Sequence, residues 1–254
     1  MASYTISSTQ LHDAMLMQCY QQEKSKYTAF DFADLDIIFN VALIARDRFP
    51  NINIPGQPNE FQYISRWVHG YYEARNNLPS NRSASPKSAC TDPAIKIIVQ
   101  ASQRLSDQQA QFGELFHNLF MSAENIQGNL LEEYIAWKVR RYGFIWCAGN
   151  VLRATDFCNS DGSFLLQVKN KSNTENSSSS TIRDGTSIEK WYRLGSKRRN
   201  CQIIPDFKWE KLNDLISNHR SQGFKLPRCQ MSEDDYERFL FNIASQNNDL
   251  ITNK

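Results

Sequence analysis

The chain has 254 residues, 41% of them hydrophobic and 12% aromatic, which is enough to build the core of one large domain or of a domain with an extension. No apolar run approaches the length of a membrane span, and the first residues lack the basic and apolar regions of a secretory signal. The six cysteines form no CxxC pair, so we expect free thiols in a reducing cytoplasm rather than a zinc site or a disulfide framework.

The net charge of +2 is unevenly distributed along the chain. Between Lys169 and Arg199, eight basic residues are opposed by three acidic ones. A locally basic segment on a nearly neutral protein suits a polyanion bound at one place. From charge alone, however, a solvated charged surface is the better interpretation.

Apolar residues recur at helical spacing in the first part of the chain. The spacing predicts a helix over residues 34–47, ended by Pro50 and Pro55, and a second over 60–75. Residues 76–88 are polar and contain two prolines and several serines, which is typical of a loop or linker. We therefore predict a helical N-terminal region over residues 1–88 and a second domain over 89–254.

The second domain begins with helix signals and then changes pattern. Asp92-Pro93 is a helix start, Ser106 and Gln109 have the form of a capping box, and a further helix is predicted over 129–141. Strands are predicted over 142–147, 151–157 and 164–169, with a turn at Asp161-Gly162. Helical spacing returns around Trp191, over 212–216 and over 236–243, the last with Ser232 as N-cap. This pattern predicts an α/β domain in which a long helix precedes a small sheet.

Three polar residues on the predicted strands make a coherent catalytic group. Asp156 is followed after ten residues by Gln167-Val168-Lys169, and alternation along a strand points Gln167 and Lys169 to one face. The oxygens of Asp156 and Gln167 suit a hard cation such as Mg²⁺, and Lys169 can orient a water and stabilise negative charge. Taken alone, the pattern is better explained by a strand edge with a solvated lysine.

A carboxylate precedes these residues on the predicted helix. Glu132 lies one helical turn from Gly128 and Ala136, on a face of small residues that could pack closely over a site. Glu133 is the second choice, and the order of the two glutamates stays open. A solvated helix face is the alternative for both.

The order helix Glu, strand Asp, then Gln-x-Lys resembles the PD-(D/E)XK nucleases. The segments 128–135, 165–179, 181–186 and 190–193 resemble more closely the SinI-like type II restriction endonucleases, and the resemblance extends over about residues 90–245. It implies a restriction-endonuclease-like core, with a small mixed central sheet flanked by helices, that makes residues 89–254 the catalytic and DNA-recognition domain. It assigns catalytic roles to Glu132, Asp156, Gln167 and Lys169, the first three as Mg²⁺ ligands. Position 167 departs from the usual Glu or Asp, and a neutral amide is a weaker Mg²⁺ ligand.

The resemblance also implies partners. It implies a bacterial cytoplasmic homodimer with no membrane partner, which cuts both strands of double-stranded DNA at a short, nearly palindromic site such as GG(A/T)CC. A cognate DNA methyltransferase would protect the host site without direct contact.

The polar segment after Lys169 has two interpretations. A flexible linker is the usual one. We favour a DNA-contacting loop that leads into a helix over 187–194, because Asn and Arg pair with base edges while Ser, Thr and Lys suit phosphates. Arg183 is the first choice for reading a base and Arg193 the second, whereas the run 197–199 suits phosphate, and Trp191 and Tyr192 suit packing. The predicted DNA-binding residues are Asn170, Lys171, Asn173, Asn176, Ser177, Arg183, Lys190, Arg193 and Arg198.

Other functions remain open. A structure-specific or repair nuclease of the same superfamily would use the same core but would need the polar segment less. A non-catalytic DNA-binding protein with a degenerate core is favoured by Gln167. A helical scaffold protein would leave the order of Glu132, Asp156, Gln167 and Lys169 unexplained. The four histidines form no cluster, which disfavours HNH and zinc nucleases.

Overall fold

The computed structural model describes residues 2–4, 13–55, 59–83, 93–171, 180–221 and 226–251. In these ranges the α-helices are α1 Asp13–Lys24, α2 Ala33–Ile44, α3 Glu60–Asn76, α4 Pro93–Gln103, α5 Asp107–Val139, α6 Trp209–Asn218 and α7 Glu233–Gln246. The strands are β1 Ala2–Tyr4, β2 Ile52–Ile54, β3 Phe144–Trp146, β4 Phe157–Asn159, β5 Leu165–Lys171, β6 Ser180–Ile182, β7 Ile188–Arg199 and β8 Gln202–Phe207.

A mixed six-stranded sheet forms the centre of the molecule. Its order is β3-β4-β5-β7-β6, and β8 pairs with the distal half of β7. Strands β5 and β7 are parallel, whereas every other pair in this sheet is antiparallel. β1 and β2 form a separate antiparallel pair. The predicted α/β fold with a mixed central sheet and a helical N-terminal region is confirmed.

The N-terminal helices pack onto the same apolar core as the sheet. Helix α3 follows the predicted periodicity and buries Tyr63, Ile64, Trp67, Val68 and Tyr71. The Trp67 indole donates to the Val151 carbonyl at 2.8 Å. A Cβ added to Gly149, whose φ is +77°, would lie 2.5 Å from the Gly70 carbonyl oxygen, so this close approach requires glycine. Helix α3 therefore braces the loop that leads to β4. The predicted boundary after residue 88 lies outside the described residues.

Helix α5 is longer than its sequence pattern predicts. The Ser106–Gln109 capping box is confirmed, but the helix then runs through Gly128 to Val139 without the predicted interruption. A Cβ at Gly128 would meet nothing within 4 Å, so the glycine serves no close contact there. Tertiary packing outweighs its cost of about 1 kcal/mol, because Leu130, Leu131, Tyr134 and Ile135 are buried.

Two predicted elements of the second half are wrong. Residues 151–156 form a loop, not a strand, because Ala154 has a φ of +55° and pairing with β3 resumes at Phe157. Residues 188–194 belong to β7, and the predicted helix over 187–194 does not form. The three-residue spacing of Ile188 and Trp191 imitates a helix, but pairing with both β5 and β6 requires an extended chain.

The other predictions for the second half agree with the structure. Trp191 is fully buried and donates to the Lys208 carbonyl at 2.9 Å, as its expected packing role requires. Helices α6 and α7 form where predicted, and Ser232 caps α7 by accepting from the Asp235 N–H. The cysteines in the described ranges are unbridged. None of the helices within those ranges combines the length and apolarity needed to cross a bilayer.

Candidate active site

Asp156 is held at the junction of three strands. Its backbone N–H donates to Leu166 at 2.8 Å, and its carbonyl accepts from Cys147 at 2.9 Å. Its carboxylate Oδ2 accepts from the Val168 N–H at 2.6 Å. The side chain thus takes the place of a strand partner where β4 no longer pairs with β5. These bonds fix the second carboxylate oxygen at the surface of the sheet.

Glu132 approaches Asp156 from helix α5. The Trp146 indole donates to Glu132 Oε2 at 3.3 Å, which orients the carboxylate. Glu132 and Asp156 line one cavity of about 330 Å³. Beside them the lining consists of Ala74, Pro79, Arg82, Asn129, Trp146, Cys147, Ala148, Gly149 and Asn150. The cavity therefore lies between α5, the segment after α3 and the loop that precedes β4.

The two neighbouring glutamates of α5 point to different partners. The Glu133 carboxylate accepts from the Ser80 backbone N–H at 2.8 Å and from the Ser80 hydroxyl at 2.5 Å. The Glu133 carboxylate thus holds the segment that follows α3, whereas Glu132 lines the cavity with Asp156. The geometry selects Glu132 as the helix carboxylate of the candidate site.

Burial and charge perturb both carboxylates of the cavity. Burial, aided by the charge of Asp156, raises the pKa of Glu132 to about 7, against the Trp146 hydrogen bond and the Lys169 charge. Burial also raises the pKa of Asp156, although the Val168 N–H and the Lys169 charge both act to lower it. Lys169 is exposed on β5 and close enough to act on both groups. The two carboxylates of the cavity thus have the charge of a lysine on β5 near them.

Gln167 lies on the same face of β5 as Lys169 but is nearly enclosed. Its side chain is 6% exposed, and its amide Oε1 accepts from Arg183 Nη1 at 3.4 Å. The register places Lys190 of β7 beside Gln167. The amide oxygen that the sequence assigns to a metal is therefore engaged by a guanidinium in this arrangement.

The donor set fits one hard cation. In the described ranges no three His, Cys, Asp or Glu side chains form a group that could hold a metal. Mg²⁺ does not need such a group, because it keeps several waters and binds through one or two carboxylates together with substrate phosphates. Glu132 and Asp156 supply these two carboxylates, and a divalent cation would relieve their repulsion.

Arg183 occupies a tight hairpin turn close to this site. Its N–H donates to the Ile188 carbonyl at 2.8 Å, and Gly185 has a φ of +70°, which closes the turn between β6 and β7. Arg183 is half-buried and its guanidinium reaches back to Gln167. The residue expected to read a base is therefore coupled to the candidate catalytic group.

Two of the predicted DNA-binding residues are engaged inside the protein. Arg193 is 8% exposed, forms an ion pair with Glu233 and donates from Nε to Asn170 Oδ1 at 2.9 Å. Gln127 also donates to Asn170 Oδ1, at 3.0 Å. These bonds join β5, β7 and α7. Asn170 and Arg193 therefore help to hold the fold together, and their contact with DNA stays a prediction.

Of the other predicted DNA-binding residues, three more lie in the described part of the chain and three lie outside it. Lys171 is exposed at the end of β5, and Lys190 is half-buried. Arg198 is exposed near the tip of the β7–β8 hairpin. Asn173, Asn176 and Ser177 lie outside the described residues.

The β7–β8 hairpin forms a basic ribbon, defined here as residues 195–206. Within the described chain, this part of β7 pairs with β8 alone, because the β5 register ends at Leu194. Positive φ angles at Asn200 and Cys201 give a two-residue turn of type I′. Lys197 pairs with Asp206 at 3.3 Å, whereas Arg198 and Arg199 have no ion pair within the described residues. The ribbon therefore presents two available guanidinium groups beyond the sheet.

Sequence reasoning missed two residues of the cavity. The sequence predicts a strand at Trp146, but nothing in its spacing indicates a bond to Glu132. It predicts a polar linker at Arg82, which lines the cavity with both carboxylates. Both relationships depend on contacts between distant parts of the chain, which periodicity does not report.

Comparison with known proteins identifies the family of the chain. The model of the SinI restriction endonuclease family matches residues 68–230, from within α3 to just before α7. The chain is similar to the type II restriction enzyme Eco47I of Escherichia coli, with 35% identity over 75% of this chain and 74% of that protein. It is also similar to the type II restriction enzyme SinI of Salmonella infantis, with 31% identity over 79% of this chain and 93% of that protein. Since the family match covers more than half of its residues, the chain belongs to the SinI restriction endonuclease family.

Proposed function

We propose that this protein is a type II restriction endonuclease that hydrolyses phosphodiester bonds in double-stranded DNA with Mg²⁺ as cofactor. The observation that carries the proposal is the shared cavity of Glu132 and Asp156, with the Lys169 charge acting on both. Membership of a restriction endonuclease family supports the same conclusion.

The chain's own groups have separable tasks in hydrolysis. Glu132 and Asp156 would hold Mg²⁺, which when bound polarises a phosphate and lowers the pKa of a water. Lys169 would orient the attacking water and stabilise the charge that develops on the phosphate. Gln167 would contribute a neutral amide oxygen that already accepts from Arg183, and such an oxygen is a weaker Mg²⁺ ligand than a carboxylate. We therefore rank it behind the two carboxylates as a ligand.

DNA contact is proposed for the basic groups that remain available. Lys171 and Lys190 lie on strands next to the candidate site, and Arg183 lies in the adjoining turn. A two-stranded ribbon can enter the major groove, and arginines at its tip suit phosphate or guanine. Arg198 on the basic ribbon would thus contact DNA at a distance from the reacting phosphate. The site GG(A/T)CC is proposed from the resemblance to SinI-like enzymes.

A homodimer is proposed because a nearly palindromic site requires two cutting centres related by a two-fold axis. Each chain contributes one cavity that contains Glu132 and Asp156. An apolar surface lies on a helical arm, defined here as α4 and residues 107–122 of α5. Helix α4 has no buried residue, although Lys96 ties it to Asp107 of α5. A helix this apolar requires a cover in water.

The size of this surface suits a second copy of the chain. Its large side chains are 40–69% exposed and comprise Ile95, Ile97, Ile98, Val99, Phe112, Leu115, Phe116 and Phe120. Ile97 lies on the opposite side of α4 from Ile95; without it, at about 200 Å² for each fully exposed side chain, the others present roughly 800 Å², close to the ~800 Å² per partner of a standard interface. A monomeric protein rarely exposes so large an apolar patch. We therefore propose the helical arm as the dimer interface.

Sedimentation equilibrium tests the interface. Wild type should sediment as a dimer and Phe116→Glu as a monomer. Phe241→Glu is the matched control, because Phe241 is 73% exposed on α7, away from the arm; it should remain dimeric. A monomeric wild type, or a dimeric Phe116→Glu, overturns this interface. The apolar surface of the arm would then be covered by another part of the chain or by another protein.

The cellular setting follows from the proposed activity. A nuclease of this type acts in the bacterial cytoplasm, where the host DNA is. A cognate DNA methyltransferase would protect the host site by modifying the DNA, with no contact with this chain proposed.

Digestion of a sequenced plasmid tests the function. Discrete fragments with Mg²⁺, none with EDTA, and ends that map to one sequence are expected. Fragments without a common sequence would favour the structure-specific or repair nuclease instead. Binding without any metal-dependent cutting would favour the non-catalytic DNA-binding protein.

A further inference from the structure

The turn that follows α3 is fixed by three separate anchors. Glu133 of α5 accepts two hydrogen bonds from Ser80. The Asn247 amide, just after α7, donates to the Ser80 carbonyl at 3.0 Å and to the Arg82 carbonyl at 3.1 Å. Arg82 Nε donates to the Asn77 carbonyl at 2.8 Å. A short segment held from α5, from the residue after α7 and from its own chain has a defined position, which its polar sequence does not indicate.

This anchored segment brings a cation to the catalytic cavity. Arg82 lines the cavity together with Glu132 and Asp156, and it is the one cationic side chain among the described lining residues. Its Nε is engaged, whereas its two terminal nitrogens have no hydrogen bond or ion pair within the described ranges. The side chain is exposed, so a ligand that enters the cavity can reach it.

The cavity needs such a cation for the substrate proposed above. A phosphodiester that approaches two carboxylates is repelled by both, and the repulsion is strongest where water is excluded. A guanidinium presents paired N–H donors that match two phosphate oxygens. Lys169 acts from the β5 side, whereas Arg82 reaches the cavity from the segment after α3.

We propose that Arg82 binds the phosphate that is cleaved, or its immediate neighbour, and that Glu133 and Asn247 position Arg82 for that contact. The proposal rests on the proposed endonuclease function. It gives the neighbouring glutamates of α5 complementary tasks: Glu132 faces the cavity, and Glu133 holds the segment that carries the phosphate-binding residue.

A binding cycle tests the contact without requiring cleavage. Wild type and Arg82→Ala are titrated in EDTA with a cognate duplex and with the same duplex carrying neutral methylphosphonates at the scissile and adjacent positions. Arg82→Ala should weaken binding of the natural duplex about tenfold and binding of the neutral duplex by less than threefold. Equal weakening of both duplexes, or of neither, overturns the contact. Arg66→Ala, at an exposed arginine of α3, should leave both affinities unchanged.

Single-turnover cleavage tests the effect on the reaction. Arg82→Ala should slow the step about 10²-fold, as for the loss of one transition-state donor, and Arg82→Lys should recover part of the rate. A cleavage rate of Arg82→Ala within threefold of wild type overturns its role in the reaction. If wild type does not cut DNA with Mg²⁺, the endonuclease function fails, while the binding cycle still decides the phosphate contact.

A double mutant tests the positioning by Glu133. Glu133→Ala removes both acceptors of Ser80, so it should slow cleavage about tenfold, and the melting temperature shows whether the variant folds. In an Arg82→Ala background the same change should have no further effect on the rate, because the residue that it positions is absent. Rate losses that multiply independently would show that Glu133 does not act through Arg82.

Discussion

The Asp156 carboxylate accepts a hydrogen bond from the Val168 N–H at the point where β4 stops pairing with β5. One oxygen thus completes the sheet, while the carboxylate as a whole faces the cavity that Glu132 also lines. Substitution of Asp156 therefore affects two properties: the charge in the cavity and the hydrogen bond that the Val168 N–H donates. Different substitutions can change the two separately.

Asp156→Asn removes the charge and keeps an oxygen that can accept from Val168. We expect it to fold like wild type, to lose Mg²⁺-dependent cleavage and to retain DNA binding. Asp156→Ala should also lose cleavage and in addition lower the free energy of unfolding by about 1–2 kcal/mol, because the Val168 N–H loses its acceptor. Plasmid cleavage, duplex binding and urea unfolding measure the three effects. Near-normal cutting by Asp156→Asn would show that Asp156 is not a catalytic residue.

Lys169→Ala should lower the single-turnover cleavage rate by roughly 10²-fold, the loss typical of one transition-state stabiliser. Lys171→Ala is the matched control, since Lys171 is exposed on the same strand two residues further on. It should weaken DNA binding and leave the rate on saturating DNA nearly unchanged. If the cleavage rate of Lys169→Ala falls by less than tenfold, Lys169 is a residue at the edge of a strand without a catalytic role.

The pKa of Glu132 makes stability depend on pH. Its pKa of about 7 in the folded chain exceeds the ordinary 4.5, so the folded state binds more protons between these values. Stability is therefore highest below pH 4.5 as far as this group is concerned, and it falls as pH rises to about 7. Glu132→Gln removes this loss. In EDTA at pH 8 we expect the variant to be about 1–3 kcal/mol more stable than wild type, with the difference reduced towards zero at pH 5.

Mg²⁺ provides the complementary measurement for Glu132. At pH 8 the metal should raise the melting temperature of wild type and have a much smaller effect on Glu132→Gln. A variant that is equally stabilised by Mg²⁺ would exclude Glu132 as a ligand. A stability difference that is constant between pH 5 and pH 8 would contradict the raised pKa.

Gln167→Glu should retain cleavage activity and alter the metal preference. The new carboxylate would form an ion pair with Arg183, which already lies 3.4 Å from the amide oxygen. In an Arg183→Ala background the same change should lower both cleavage activity and thermal stability. A third buried carboxylate would then lie near the site without that guanidinium. Cleavage with Mg²⁺ and Mn²⁺, and thermal unfolding of both variants, measure these effects. Inactive but folded Gln167→Glu would mean that the amide makes a specific contact, such as one with DNA.

The sequence predicts the strand part of the site because alternation is local. Residues two apart share a face, so Gln167 and Lys169 could be placed together without knowledge of the fold. The choice between Glu132 and Glu133 could not be made in the same way, because it depends on Ser80, which lies 53 residues earlier and binds Glu133. A resemblance to a family identifies the pattern, but the partners of each carboxylate are tertiary.

Residues 187–194 show a second limit of sequence patterns. Buried residues at 188 and 191 fit a helix as well as a strand. Only the neighbouring strands β5 and β6 decide between them, and their pairing is not visible in the segment itself. The consequence is functional: the predicted helix could carry Arg193 toward DNA, whereas the strand buries it against Glu233.

The final prediction contrasts Arg183, close to the candidate site, with Arg198 on the basic ribbon. Guanine presents two acceptors in the major groove that match an arginine fork, and Arg183 has nitrogens beyond the Nη1 that binds Gln167. Arg183→Ala should cost about 1–3 kcal/mol in binding to the correct site and should narrow the gap between specific and non-specific DNA.

Arg198 is exposed and has no ion pair within the described residues, which suits a phosphate contact. Arg198→Ala should therefore weaken binding of cognate and scrambled duplexes to the same extent and lower the slope of affinity against salt by about one. Titration of both variants on both duplexes at two salt concentrations measures the contrast. Equal weakening of the two duplexes by Arg183→Ala would assign it to phosphate. A loss confined to the cognate duplex for Arg198→Ala would move base reading to the ribbon, because a contact with the backbone is made on any sequence.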